Sequence, residues 1–207
     1  HHTQIFASKL RSYKDLPIRY MESDKQYRAE LQGAVGNSLS RVYAITVEDG
    51  HVFCTREQVK QEIINICNLI KDFYSRMGLW ENHWVSLSVR DYEHPEKYIG
   101  EKSDWDLCES LLQEISDELR LDAKRCEGEA ALYGPKLDFM FRDALDREIQ
   151  IPTVQLDFAT PKRFGLFYID ENGEKQTPVM VHRAVLGSYE RFLVLLLEQF
   201  KGVLPVW

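Results

Sequence analysis

An α+β fold with a mainly antiparallel sheet flanked by helices is predicted by three observations. The chain's punctuation runs as a strand-rich stretch, a helix, a strand, a second helix, a long strand-rich stretch and a last helix. Two segments carry apolar residues at helical spacing between runs rich in β-branched and aromatic residues. The composition, 44% hydrophobic and 29% charged with seven prolines and eleven glycines in 207 residues, is that of an ordinary globular chain.

In chain order, Arg28-Ala29-Glu30, a loop with Gly33, Gly36 and Asn37, then Arg41 and a run to Asp49-Gly50-His51 form a strand-loop-strand unit. Thr55-Arg56-Glu57-Gln58 has the form of a capping box, and Val59, Ile63, Ile66, Leu69, Ile70 and Phe73 follow at helical spacing up to Gly78, so one amphipathic helix is expected over about 55 to 77. Ser103 to Leu119 is expected to be the second, with Trp105, Leu111, Leu112 and Ile115 on one side. From Pro135 to His182 the β-rich runs Leu137 to Phe141, Ile151 to Phe158, Phe164 to Ile169 and Pro178 to Val181, with a turn at Glu171-Asn172-Gly173, read as the strands of a meander. Phe192 to Leu197 is apolar around its whole circumference and is expected to be a helix buried on nearly all sides, its start marked by Gly187 and Ser188.

Composition also excludes. Collagen-like, low-complexity and disordered readings fail, and no apolar run reaches the ~18 residues of a membrane span. A net charge of −7, from 26 basic and 33 acidic residues, argues against a dedicated nucleic-acid-binding module while leaving room for a local basic patch. The length favours one large domain over two small ones. Cys54, Cys67, Cys108 and Cys126 are widely spaced without a C-x-x-C, so neither a disulfide framework nor an all-cysteine zinc site is indicated, and a reducing cytoplasmic compartment is the default. His1 and His2 are either native or a tag remnant; they run directly into Thr3-Gln4-Ile5-Phe6 without a linker.

Single residues say less. Taken alone, the unit around Arg28, Glu30, Arg41, Asp49 and His51 is a weak signal that reads first as a hairpin with solvated charges. Lys136, after Gly134-Pro135, suits a phosphate or protects a sheet edge. His51 and His182 are too far apart in sequence for a local metal spacing, and a histidine beside apolar neighbours is commonly a hydrogen-bonded core residue.

His182-Arg183-Ala184-Val185-Leu186-Gly187-Ser188-Tyr189-Glu190-Arg191 resembles motif 3 of class II aminoacyl-tRNA synthetases, in detail that of the threonyl-tRNA synthetase family. Ser12 to Pro17, Asp49 to Cys54, Ala131 to Lys136 and Thr153 to Phe158 each resemble a block of the same family, in the same order and at similar spacings, and the agreement runs from residue 2 to 207. The resemblance implies a class II aminoacyl-tRNA synthetase-like antiparallel sheet flanked by helices. It implies a threonine-tRNA ligase that activates threonine with ATP, as its magnesium complex, to threonyl-adenylate and transfers it to the threonine tRNA. Catalysis would rest on positioning and on neutralising phosphate charge.

By the same resemblance Arg28, Lys136 and Arg191 are the catalytic residues, each meeting a phosphate, the two arginines with the planar fork that suits them to the task, and Arg28 and Arg191 converge on one ATP site. Glu30, Arg41 and Gln150 join them in binding ATP. Asp49, Tyr133 and Gln155 bind threonine, Tyr133 having a core role as its alternative. His51 and His182 match two ligands of an active-site zinc, whose third ligand, a cysteine, is expected just upstream of His1; His2 would be the histidine of that Cys-Pro-x-His block. An open zinc position would take the threonine amino and hydroxyl groups.

The departures fall in motif 2. Ala29 replaces an asparagine, the loop is one residue longer, and Tyr43, Ile45 and Val47 stand where an arginine, an adenine-stacking phenylalanine and a glutamine are usual. Motif 1 would lie upstream, and nothing resembles the editing or anticodon-binding domains. Residues 1–207 therefore read as a single catalytic-core domain of a cytoplasmic enzyme that is homodimeric at full length and does not engage a membrane. The alternative is an altered or non-catalytic paralogue that keeps the fold and binds a nucleotide, amino acid or protein partner.

Overall fold

The computed structural model describes residues 1–27, 29, 39, 41–143 and 146–204. Its centre is a seven-stranded sheet. The strands are β1 (Ile18–Tyr27), β2 (Ala44–Cys54), β3 (His83–Val89), β4 (Lys124–Glu127), β5 (Lys136–Arg142), β6 (Glu148–Asp157) and, after a two-stranded ribbon of β7 (Tyr168–Ile169) and β8 (Lys175–Gln176), β9 (Val179–Ala184). Their order is β1-β2-β9-β6-β5-β3-β4, antiparallel at every pairing except β3 with β4. The helices are α1 (His2–Ala7), α2 (Val59–Arg76), α3 (Lys102–Glu118), α4 (Ala159–Arg163) and α5 (Tyr189–Gln199).

Period-two alternation gives the sheet two unlike faces. Val52 and Cys54, Val85 and Leu87, Leu137 and Phe139, Val154 and Leu156, and Val181 point to one face, where they form a continuous core with Ile63, Ile66 and Ile70 of α2 and Leu112 and Ile115 of α3. On the other face, a smaller cluster of Phe6, Leu16, Phe53, Leu166, Tyr168 and Met180 covers one end and leaves the rest open.

Four local expectations need correction. The first helix begins at Val59; Thr55 to Gln58 form a turn before it, with the half of the capping box in which Gln58 Oε1 accepts from the Thr55 N–H at 3.0 Å. Phe164 to Ile169 is not a strand, because α4 comes first: the Asp157 carboxylate accepts from the N–H groups of Ala159 and Thr160, and Pro161 suits a first turn. Only Tyr168 and Ile169 pair, in the separate ribbon. The meander therefore reduces to β5, β6 and β9. Finally, α5 buries Val194, Leu195 and Leu196 but exposes Leu193 and Leu197, at 44% and 41%, so it lies on the core rather than in it. The one-turn helix α1 carries no signal strong enough to have been expected.

Candidate functional site

Register aligns the chemistry. Lys136 pairs with Gln155, Gln155 with His182, His182 with His51 and His51 with Tyr20, so one row of side chains crosses five strands on the open face. The next row contains Asp138 and Thr153, and Asp49, two residues before His51, shares that face. A cleft of about 400 Å³ opens over these rows, lined among others by Ile45, Val47, Asp49, Tyr133, Gln150, Gln155, His182 and Arg191.

One irregularity makes the arrangement possible. Between β5 and β6 the register slips, with Asp138 opposite Thr153 but Met140 opposite Gln150, so β6 carries an extra residue at Ile151-Pro152. Proline inside a strand is tolerated at such a bulge. The bulge returns both Gln150 and Thr153 to the open face, and each donates to Asp138 Oδ1 at 2.7 Å. The same buried carboxylate accepts from Ser88 Oγ at 2.8 Å and lies 2.9 Å from Lys136 Nζ. Asp138 thus fixes two of the expected ATP-site residues, Lys136 and Gln150.

His51 and His182 meet edge to face, with His51 Nε2 2.9 Å from His182 Nδ1. On its far side His182 Nε2 lies 2.9 Å from Asp157 Oδ2, and Asp157 is itself fully buried and held by the start of α4. A carboxylate accepts, so His182 carries its proton on Nε2 and turns the Nδ1 lone pair toward His51. Burial, reinforced by the neighbouring His182 and His2, pushes the His51 imidazole down to about 3 and so keeps it neutral. Imidazoles with one nitrogen secured by a second group are the donor chemistry of a zinc site, and His51 and His182 fit two positions of a three-ligand set. Among the described residues no group of three or more His, Cys, Asp or Glu side chains is arranged to hold a metal ion.

Around this pair, burial raises the Asp49 carboxyl above its ordinary value, opposed by His182 and His2. Burial likewise raises the Tyr133 phenol, whose ring sits 5.3 Å from that of His182. Gln155 is 6% exposed and stands beside the Tyr133 phenol, and among the described residues its Nε2 finds no close hydrogen-bond partner. A buried amide N–H left unpaired is unfavourable, which marks it as a donor waiting for a polar ligand.

At the far end of the cleft, Ser188 caps α5 by accepting from the Arg191 N–H, which sets Arg191 in the helix's first turn. Glu48 on the opposite face accepts from the N–H groups of Val185 and Leu186 and from Arg183 Nη1, fastening the turn that precedes α5. Gly50 makes the room: a Cβ there would stand 2.9 Å from Arg183 Nε.

The fold thus brings together Asp49, Tyr133, Gln150, Gln155, His182 and Arg191, with His51 behind His182 and Lys136 on the adjoining strand. Arg41 is exposed ahead of β2 and is not among the lining residues. Arg28 and Glu30 lie outside the described residues, and with them the expected convergence of Arg28 and Arg191. Sequence reasoning missed Asp138, Asp157 and Glu48. The available signal was a carboxylate at an alternating position within an otherwise apolar strand, which must find partners when buried.

The family model described as the class II tRNA synthetase core domain (G, H, P, S and T) matches residues 1–200. The whole chain is 43% identical to a threonine–tRNA ligase of Halalkalibacterium halodurans and 46% identical to one of Dichelobacter nodosus, spanning 32% and 31% of their lengths. It also superposes with a TM-score of 0.91 and 36% identity on the crystal structure of the RNA binding domain of threonyl-tRNA synthetase from Cryptosporidium parvum Iowa II, covering all of this chain and 50% of that one. A putative threonyl-tRNA synthetase from Aeropyrum pernix follows at 0.80 and 30%, covering 99% of this chain and 47% of that one.

Proposed function

This chain belongs to the class II tRNA synthetase core family, and from that premise we propose that it is the catalytic core of a threonine-tRNA ligase, forming threonyl-adenylate from threonine and ATP and passing the threonyl group to the threonine tRNA. The observation that carries the reading is the company kept by the His51–His182 pair: Asp49 and the buried amide of Gln155 face the same cleft as Arg191. Threonine's two polar groups and a triphosphate need such a mixed set.

His51 and His182 would hold zinc together with a cysteine from outside this sequence. When bound, zinc supplies a Lewis-acidic position for the threonine amino and hydroxyl groups. Asp49 accepts from the threonine hydroxyl. Valine matches threonine in shape but leaves that acceptor unpaired, and a site built for a hydroxyl rejects the analogue lacking it far better than an apolar pocket does. Gln155 Nε2 offers its N–H to a substrate oxygen, and Tyr133 closes the side of the pocket next to His182.

The threonine carboxylate attacks the α-phosphorus in line, its C–O–P bond forming as the bond to pyrophosphate breaks. Arg191 grips the departing phosphates and the adenine face, Lys136 neutralises charge at the α-phosphate, and Gln150 orients the nucleotide, both of the latter held by Asp138. Arg28, Glu30 and Arg41 complete the ATP site, and magnesium accompanies ATP as substrate. The chain spans about a third of the length of the curated relatives it matches. Residues 1–207 are the catalytic-core domain of a larger cytoplasmic enzyme, a homodimer that engages tRNA mainly through other domains. Among the described residues no helix is long and apolar enough to cross a membrane.

A second reading has one observation in its favour. Ile45 and Val47 present aliphatic side chains to the cleft where the resemblance calls for a stacking ring and an amide, as an altered paralogue would. Threonine-dependent ATP–pyrophosphate exchange by the full-length protein decides between them. Exchange with threonine, and at least ~100-fold less efficiently with valine, is expected of the ligase; no exchange with any amino acid would establish the paralogue.

A further inference from the structure

The loop ahead of β5 reaches the cleft through a contact that only glycine allows. A Cβ on Gly134 would stand 1.8 Å from the carbonyl oxygen of Leu156 and 2.9 Å from its carbonyl carbon, both backbone atoms of β6. Non-bonded heavy atoms rest about 3.5–4.0 Å apart, so a side chain at this position would drive loop and strand apart by more than about 1 Å. Conformational freedom is not the reason for the glycine. Gly187 meets the Ile151 carbonyl on the same strand, but at a φ of +61°, which favours glycine in any surroundings. Gly134 is not among the residues of positive φ, so there the close approach alone excludes a side chain.

The loop is fastened on both sides. The Pro135 carbonyl accepts from the Leu156 N–H at 3.1 Å, and the Leu132 carbonyl accepts from the Ile99 N–H at 2.7 Å. Between these fastenings stands Tyr133, whose ring lies 5.3 Å from that of His182 and whose phenol stands beside the Gln155 side chain. Lys136, two residues after Gly134, is held independently: it pairs with Gln155 in the sheet, and its Nζ lies 2.9 Å from Asp138 Oδ2. A lift at Gly134 therefore moves Tyr133 and leaves the Lys136 side of the cleft in place.

We propose that Gly134 is a positioning residue for the amino-acid pocket: by lacking a side chain it lets the loop rest on β6 and brings the Tyr133 ring against His182. The pocket half of the inference rests on the threonine reading above; the placement of Tyr133 does not.

Two measurements on the full-length protein test it, the crystal structure of Gly134→Ala without substrates and steady-state threonine-dependent pyrophosphate exchange. The separation of the Tyr133 and His182 rings is expected to grow by more than about 1 Å. The threonine KM should rise about tenfold or more while kcat and the ATP KM stay within about threefold, the pattern of lost uniform binding. In a Tyr133→Leu background, Gly134→Ala should raise the threonine KM by less than about twofold further, because the glycine acts through the ring. An unchanged ring separation, a displaced ring with an unchanged threonine KM, or an equal rise in both KM values would overturn the proposal. Should Gly134→Ala fail to fold, Ile99→Pro decides. It removes the donor from the loop's other side, next to a Tyr98 already extended at φ −108° and ψ 148°, as the residue before a proline prefers. The threonine KM should then rise a few-fold, and an unchanged value overturns the proposal. If the wild type exchanges with no amino acid, the ligase reading fails, and the displacement of Tyr133 still decides the role of Gly134.

Discussion

The face of the sheet beneath α2 and α3 is apolar apart from the Glu48–Arg183 pair at one end, whereas the opposite face changes character halfway along its strands. Phe53 and Met180 are buried by Phe6, Leu166 and Tyr168, and one pleat further on His51 and His182 begin the cleft. Both faces are built by the same strands and the same alternation. The difference lies in what most side chains are paired with: on the covered face, other hydrocarbon; on the open face, the buried carboxylates Asp138 and Asp157, which hold a cation, an amide and an imidazole in fixed directions. Stability is concentrated on one face and orientation on the other, so substitutions on the two faces should part in their effects.

The largest effect is expected on the covered face. Phe139 is fully buried between β3 and the helices, and Phe139→Ala should lose about 3–5 kcal/mol of unfolding free energy, from lost burial plus the cavity left behind. Urea unfolding measures it. A loss below about 1 kcal/mol would mean that the face collapses around the gap and is not the rigid member of the pair.

Thiol labelling reads the same contrast without substitution. Burial pushes the Cys54 and Cys67 thiols up to about 12 and raises Cys108 as well, all three being packed under the covered face. Cys126, on the edge strand β4, is the partly exposed one. The thiolate is the nucleophile and the reagent must reach it, so the partly exposed Cys126 should be modified at least ~100-fold faster than the three buried thiols. Comparable labelling at all four would show that the covered face opens readily.

Much of this division was legible in the sequence. The helical spacing of Val59 to Phe73 and of Trp105 to Ile115 is a local property, and so is the alternation of Leu137 to Phe141. The motif-like blocks carried Asp49, Tyr133, Gln155, His182 and Arg191 to one cleft because they bring their strand register with them. Other features depend on contacts that no local pattern encodes. Asp138 takes its meaning from Ser88, Gln150 and Thr153 on two other strands, and the bulge at Pro152 brings the latter two into reach. The apolar run of α5 suggested full burial, yet circumference alone does not say how many neighbours a helix has. The strand expected at Phe164 to Ile169 failed because the Asp157 carboxylate and Pro161 start a helix first, a signal that was present and outweighed by the aromatic residues behind it.

On the open face, Gln155→Leu should separate function from stability. Among the described residues the amide nitrogen has no close hydrogen-bond partner, so its removal should change stability by less than about 1 kcal/mol in either direction. Threonine-dependent pyrophosphate exchange should nevertheless fall by roughly tenfold or more, the loss of one hydrogen bond to the substrate. A destabilised protein with undiminished exchange would place Gln155 among the structural residues and erase the contrast.

The smallest expected effect lies where the two faces' logics compete, at Ile45. This side chain is buried to 9% exposure yet lines the cleft, at the end where β2 approaches Ser188 and Arg191. As an aliphatic residue it serves packing; beside the proposed nucleotide site it would forgo a stack worth on the order of 1–3 kcal/mol per base. Ile45→Phe adds the ring, but extra volume in a packed position offsets part of the gain, commonly by about 1 kcal/mol or more. The net expectation is therefore a few-fold fall in the ATP KM, with the threonine KM unchanged, because Asp49 and His182 lie further along the face and keep their own partners. Steady-state exchange at varied ATP and varied threonine measures both. A fall in both constants would mean that the ring reorganises the whole cleft. An unchanged ATP KM with an unchanged melting temperature would show that the base does not sit over Ile45, and that Ile45 belongs energetically to the covered side of the molecule.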